Sequence, residues 1–354
     1  MHATLESMHA TLESLSATVQ RNCHISDALH ARDYTLCVYL LKMREYYRWE
    51  KGYSFKEALP SAAVGDWVTA REQLWEQLEA SSFEPLRVGE RRYDPFDTER
   101  INQALLPQGL VYSAGYGGNA RPHFFLGKLL RDERFAGYTI LISEKEYARD
   151  LTAPPGMSLQ KTIFIRRESL RRMLWEKIEE SHWYQCDNAM ARALAYYDFE
   201  NNLEAALDQM TDNEIEAVIL HEIGEVLAGD VLGEAWHDML AALPHSKAEL
   251  MARAVRDHLA DCLSTLPGLL ETGHPAQLHF YFANMKAMRR ELFPSLFEAY
   301  QAWHTQGDID ALRAQVRRGR THWEQLAMQL LALRLPDGTA DVAGIEALVE
   351  SQRL

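Results

Sequence analysis

Three stretches of the chain place a histidine and a carboxylate one helical turn apart. At that spacing imidazole and carboxylate project from one face and can chelate a single divalent ion. In Thr211-Asp212-Asn213-Glu214-Ile215-Glu216-Ala217-Val218-Ile219-Leu220-His221-Glu222-Ile223-Gly224-Glu225, His221 and Glu225 are four residues apart and Glu222 stands beside them. In Arg256-Asp257-His258-Leu259-Ala260-Asp261-Cys262, His258 and Asp261 are three apart. Near the N-terminus His24 and Asp27 repeat that spacing, with His30 three residues further on. Mixed imidazole and carboxylate donors without thiolate suit iron or manganese, and also zinc. Facing helices of a bundle are where such ions are held. The expectation is a divalent-metal site, iron or manganese ahead of zinc, with His24, Asp27, His221, Glu225, His258 and Asp261 as ligands. Glu222 would carry protons as a catalytic group. Tyr34, read as two turns beyond Asp27 on the same helix face, would be a donor or redox residue. Asp257 and His30 stand in reserve. Arg121 and His123 follow Gly117-Gly118-Asn119 and are expected beside a cleft, holding a substrate, with Arg121 as the anion clamp. The plainer reading of that motif is a hairpin whose glycines supply backbone angles.

These residues need helices to position them. Thr211 with Glu214, and Ser246 with Glu249, read as capping boxes that start two of those helices. The heptapeptide Met1–Ser7 recurs unchanged as Met8–Ser14, so residues 1–14 read as a duplicated, frayed or disordered terminus. Residues 15–84 read as N-terminal helices of a bundle, one of them long and aromatic over His24 to Glu50, another near Val64 to Ala80 after Pro60. In 85–167 glycine, proline and β-formers rise, and 109–113, 138–142 and 161–165 read as strands of a small α+β insertion. Residues 168–354 return to helix, including Pro275 to Trp303 and Asp310 to Leu335, the last stopped by Pro336. The fold class expected is mainly α, a helical bundle with a small α+β insertion.

Composition bounds the function. The 354 residues carry a net charge of −14, which argues against nucleic acid as a partner. Arg166-Arg167 with Arg171-Arg172, and Arg317-Arg318 with Arg320, read as solvated helix faces. Cys23, Cys37, Cys186 and Cys262 show no C-x-x-C spacing, which fits reduced thiols. No apolar run reaches membrane-spanning length and no signal segment is evident. A cytoplasmic protein with a small-molecule substrate and no membrane partner is expected. His182-Trp183-Tyr184 and Tyr196-Tyr197 read as pocket-lining or helix-packing aromatics.

The segment Ala217 to Glu225 resembles the active-site helix of zincin metallopeptidases. That resemblance implies a zinc ligand at His221 and a general base at Glu222, with Glu225 in place of the second zincin histidine. The spacing of the three pairs is similar to that of helix-bundle carboxylate–histidine metalloproteins, including di-iron oxidases and hemerythrin-like proteins, though none of the three is itself a Glu-x-x-His pair. The chain as a whole resembles a bacterial family of unknown function, recognisable in Asn22–Glu50 and His221–Glu225, which implies no activity.

Three functions follow as expectations. One is an oxygen-using iron or manganese oxidoreductase. Another is a zinc hydrolase with a variant HExxE helix. The third is a non-enzymatic helical scaffold or partner-binding protein, in which Arg32, Arg256 or another cation would neutralise the carboxylates. On either metal reading His221→Ala abolishes metal binding, whereas Glu222→Gln keeps the metal and slows turnover if Glu222 is a base. Metal content measured alongside activity checks this, and full metal content in both variants would remove His221 from the ligand set.

Overall fold

Helix-forming segments broken by one glycine- and β-rich stretch build a mainly α protein. The computed structural model describes residues 2–117, 121–181, 188–285, 287–333 and 341–354. It divides into two compact units, Met1–Trp175 and Glu176–Leu354.

The first unit begins with α1 (His2–His30), which runs through the duplicated heptapeptide rather than starting after it. A seven-residue repeat returns to nearly the same face every two turns. The helix buries Leu15, Val19 and Cys23 in a core shared with the sheet. A 3₁₀ turn, Ala31–Asp33, separates α1 from α2 (Leu36–Lys51), so the aromatic segment is two helices rather than one. Next come α3 (Ser61–Leu78), the short antiparallel pair β1 (Leu86–Val88) and β2 (Arg91–Tyr93), and α4 (Thr98–Leu105).

Five strands form the main sheet: β3 (Leu110–Tyr116), β4 (Pro122–Phe135), β5 (Tyr138–Arg149), β6 (Gly156–Leu159) and β7 (Thr162–Arg166), in the order β3-β4-β5-β7-β6. Neighbours are antiparallel except β5 and β7, which are parallel. The three strands expected from sequence correspond to β3, β5 and β7. β4 escaped because Lys128, Arg131, Asp132, Glu133 and Arg134 dilute its apolar pattern beyond Leu126. The β3–β4 pair ends at Tyr116 opposite Pro122. Residues 118–120 of the expected glycine turn lie outside the described residues.

The second unit is helical. α5 (Arg167–Ser181) leads into it, followed by α6 (Ala189–Leu194), α7 (Leu203–Leu232), α8 (Glu234–Ala242) and α9 (Lys247–Ala260). A π-helical turn, Asp261–Thr265, joins α9 to α10 (Leu266–Thr272). The remaining helices are α11 (Pro275–Asn284), α12 (Ala287–Leu292), α13 (Pro294–Gln306), α14 (Ile309–Ala332) and α15 (Val342–Ser351). The single helix expected over Pro275 to Trp303 is thus three. Pro294 cannot continue a helix from α12 and instead opens α13. Pro336 and the segment His182-Trp183-Tyr184 lie outside the described residues.

One expected cap is displaced. Ser246 caps α9, accepting from the Glu249 amide at 3.3 Å. Thr211 caps nothing. It lies inside α7, which starts after Asn202, and its hydroxyl donates to the Leu207 carbonyl at 2.6 Å. A threonine four residues past a carbonyl can satisfy its hydroxyl within a continuing helix, so the box motif alone did not mark a start. None of the described helices is long and apolar enough to cross a membrane.

The core of the second unit gathers Leu232, Trp236, Val255, Leu259, Leu266, Phe293, Tyr300, Trp323 and Leu326. α7 approaches α9 and the π turn closely at Gly224, where an added Cβ would stand 2.5 Å from the Ala260 carbonyl oxygen. Backbone cannot yield there as a side chain can. Gly224→Ala is therefore expected to lower stability by about 1–3 kcal/mol despite alanine's better helix propensity. Urea unfolding measures it, and an unchanged midpoint would show that the helices separate freely.

Candidate functional site

The ten residues singled out from sequence fall into two groups, one in each unit.

In the first unit α1 carries His24 and Asp27 inward, toward different partners. Arg71 on α3 lies against the His24 ring, 2.6 Å from Nε2, and Trp75 Nε1 lies 3.4 Å from Nδ1. Burial, and then Arg71, lower the His24 pKa to about 3. Its imidazole is neutral and enclosed. Arg71 also pairs with Glu50.

Asp27 is fully buried. It accepts hydrogen bonds from Arg121 Nη2 at 3.2 Å and from the Leu151 amide at 3.0 Å. Arg121 Nη1 donates to the Tyr34 hydroxyl at 2.8 Å, and that hydroxyl lies 2.7 Å from Thr152 Oγ1. His123 Nδ1 stands 3.0 Å from Asp150, which also accepts from the Ala153 amide at 2.7 Å. Asp27, Tyr34, Arg121 and His123 thus converge with Asp150, and His24 stands apart on the Arg71 side.

The two carboxyls of this cluster are driven apart. Burial, then the neighbouring Asp150, raise the Asp27 pKa to about 7, with Arg121 opposing. Burial also works to raise Asp150, but the hydrogen bond and charge of His123 outweigh it and hold Asp150 well below the usual carboxylate range.

Two expectations change. Tyr34 is not on the α1 face; it follows the 3₁₀ turn with extended backbone, and its ring returns over the cluster. Arg121 and His123 are buried at 7% exposure each. Tyr34, rather than either of them, lines a cavity of about 400 Å³ with Tyr39, Glu72, Trp75, Glu76 and Glu79. Nor are Arg166 and Arg172 on a solvated face. Arg166 ends β7 pointing inward to a buried ion pair with Glu146, and Arg172 donates to the Glu45 carbonyl at 3.0 Å.

In the second unit His221 and Asp261 meet. His221 Nδ1 lies 3.8 Å from Asp261 Oδ1, longer than a hydrogen bond, with the imidazole 46% exposed and Asp261 only 2%. The other Asp261 oxygen is held by Arg289 and by the Tyr281 hydroxyl, the latter at 2.6 Å. Burial would raise the Asp261 pKa; Arg289 first, then His221 and Tyr281, drive it far down instead. Burial would lower His221, and Asp261, with Glu225 and Glu222 beyond, raises it to about 9.

Glu225 pairs with Arg256 across the α7–α9 contact. His258, one turn before Asp261, points elsewhere. Its Nε2 lies 2.9 Å from the Arg289 carbonyl oxygen, its ring stacks on Trp323 at 4.7 Å, and burial lowers its pKa to about 3. Glu222 is half-buried on α7.

Among the described residues no group of three or more histidine, cysteine and carboxylate side chains is arranged to hold a metal ion. The donors have cationic neighbours. Arg121, Arg256 and Arg289 stand where an ion would have to compete for Asp27, Glu225 and Asp261, and Arg71 crowds His24. Sequence spacing missed Asp150, Arg71, Tyr281 and Arg289 because each comes from a different element, with no periodic relation to its partner.

α7 also buries Glu214, two turns before His221, at 4% exposure and with Oε1 unpartnered among the described residues. Burial alone raises its pKa from 4.5 to about 8. The folded chain keeps a proton that the unfolded chain has released, so stability falls as pH rises from 4.5 toward 8. The slope is at most about 1.4 kcal/mol per pH unit. Glu214→Gln is expected to flatten that loss, measured by urea unfolding at both ends of the range. An equal slope in the variant would place the titration elsewhere.

Residues 14–166 match the N-terminal domain, and residues 171–352 the C-terminal domain, of a family of unknown function, DUF6866. The chain belongs to that family. No curated protein and no solved structure matches it.

Proposed function

We propose that this member of the DUF6866 family is a non-catalytic partner-binding protein whose histidine–carboxylate pairs act as internal struts. One observation carries the reading: the helix-borne carboxylates with ligand spacing are each taken by an arginine, Asp27 by Arg121, Glu225 by Arg256 and Asp261 by Arg289. A guanidinium supplies the counter-charge that a buried carboxylate needs, fully at Asp261 and, against the neighbouring Asp150, only in part at Asp27. A divalent ion would have to displace it and leave a second cation beside the metal.

Exposed apolar side chains in the first unit support partner binding. Leu36, Val38, Leu40 and Leu41 open α2 and are 70%, 42%, 49% and 59% exposed, with Leu29 of α1 at 47%. A run of large apolar side chains left in water is a common mark of an interaction surface. The iron or manganese oxidoreductase and the zinc hydrolase remain the competing readings, and both need the arginines to withdraw.

Metal analysis of tag-free protein grown in supplemented medium separates these. The expected result is no stoichiometric metal and a thermal midpoint unmoved by chelator. About one or more equivalents of iron, manganese or zinc per chain, with destabilisation on chelation, would overturn the proposal.

A further inference from the structure

The second unit holds a cavity that neither the ion-pair clusters nor the metal readings use. It has a volume of about 400 Å³ and lies among α5, α6, α11, α12 and α13. A second hollow of about 520 Å³ adjoins it and shares Arg290, Phe297 and Gln301. The two hollows meet at Arg290, Phe297 and Gln301.

Its wall is aromatic. Phe282 stacks on Tyr300 at 4.1 Å between centroids, and Phe297 packs beside Tyr300 at 5.6 Å. Its charge is positive. Lys177, Arg192 and Arg290 line the first cavity with one acid, Glu180, which is paired with Lys177 at 3.2 Å, and the second hollow adds one acid, Glu298. Arg192 Nη1 is oriented along the wall by the Tyr300 hydroxyl at 3.4 Å, and that hydroxyl is fixed by His279 Nδ1 at 2.9 Å.

Arg290 differs from the arginines of the clusters. Its guanidinium lies 3.7 Å over the Phe297 ring, and none of the described carboxylates pairs with it. Stacking on a ring holds the guanidinium plane in place while leaving its N–H edge available to an acceptor. A cationic, aromatic-walled cavity in a chain of net charge −14 is the reverse of the average surface. Its volume falls in the range of small-molecule sites, about 300–1,000 Å³.

The geometry points to a binding site for a small organic anion carrying a planar ring, its carboxylate or phosphate on Arg290 and its ring against Phe282 and Phe297. The ring gains apolar burial and stacking, worth about 0.5–1.5 kcal/mol beyond area for an aromatic pair. The anion gains charge-assisted hydrogen bonds that arginine can make in pairs. Lys177 and Arg192 are the lesser contributors, because Glu180 holds the one and the Tyr300 hydroxyl engages the other. The inference does not rest on the partner-binding reading: the metal content and the occupancy of this cavity are separate measurements.

Titration of the full chain with 1-naphthyl phosphate and with 1-naphthoate, followed by naphthalene fluorescence, tests it and tells the two headgroups apart. The expected result is saturable binding of one equivalent of at least one probe, weakened by added salt. Uncharged 1-naphthalenemethanol should bind at least about tenfold more weakly. Arg290→Glu should weaken the anion at least about tenfold, and Phe297→Ala should weaken both the anion and the uncharged probe. Arg91→Glu, an exposed change in the first unit, should leave both unchanged. Arg290 is itself exposed, so its variant is expected to keep the native melting curve; Arg290→Gln repeats the test with a smaller change if it does not. Failure of both probes to bind below about 1 mM would overturn the proposal. So would saturable binding indifferent to Arg290, or equal affinity for the uncharged probe.

Discussion

A carboxylate taken out of water has to find a cation or a proton, and much of this structure is arranged around that constraint. Asp27, Asp150, Glu146 and Asp261 are each at most 2% exposed. Arg121, His123, Arg166 and Arg289 supply their partners. The cost of desolvating an ion amounts to several kcal/mol, so removing one partner leaves a penalty far larger than the net worth of the pair. Glu214 shows the other solution. It has burial without a cation, and keeps its proton into the neutral range.

The same constraint explains why the clusters are made from distant elements. Asp27 on α1 is reached by an arginine just before β4 and by the amide of Leu151, just beyond β5. These bonds fasten the helix to the end of the sheet. Asp261 stands at the first residue of the π turn, where it is reached from α7 by His221, from α11 by Tyr281 and from α12 by Arg289. Its burial depends on α7 lying close, which Gly224 permits. A bulkier residue there would push α7 away from the backbone that carries Asp261.

Arginine has two distinct uses in the second unit. Arg256 and Arg289 answer carboxylates and are spent on internal order. Arg290, the next residue after Arg289, faces a cavity and rests on Phe297 instead. Adjacent positions on a helix point about 100° apart, so one turn of α12 can serve both a buried strut and an open groove.

The mainly α class, the strands β3, β5 and β7 and the Ser246 cap were all legible in the residues. Each rests on local pattern: apolar period, turn residues and cap chemistry act within a few positions of chain. Local spacing also singled out Asp27, Tyr34, Arg121, His123, His221 and Asp261, which do lie in charged clusters. It did not distinguish a metal ligand from one half of an ion pair. A His–carboxylate turn looks the same whether an ion or an arginine stands opposite, and Arg121 is 94 residues from Asp27 while Arg289 is 28 from Asp261. Thr211 and Glu214 misled for a related reason, since a capping box and an internal threonine beside a buried acid share one local sequence. What stands across the contact is set by how helices and sheet pack, and only the tertiary structure decides it.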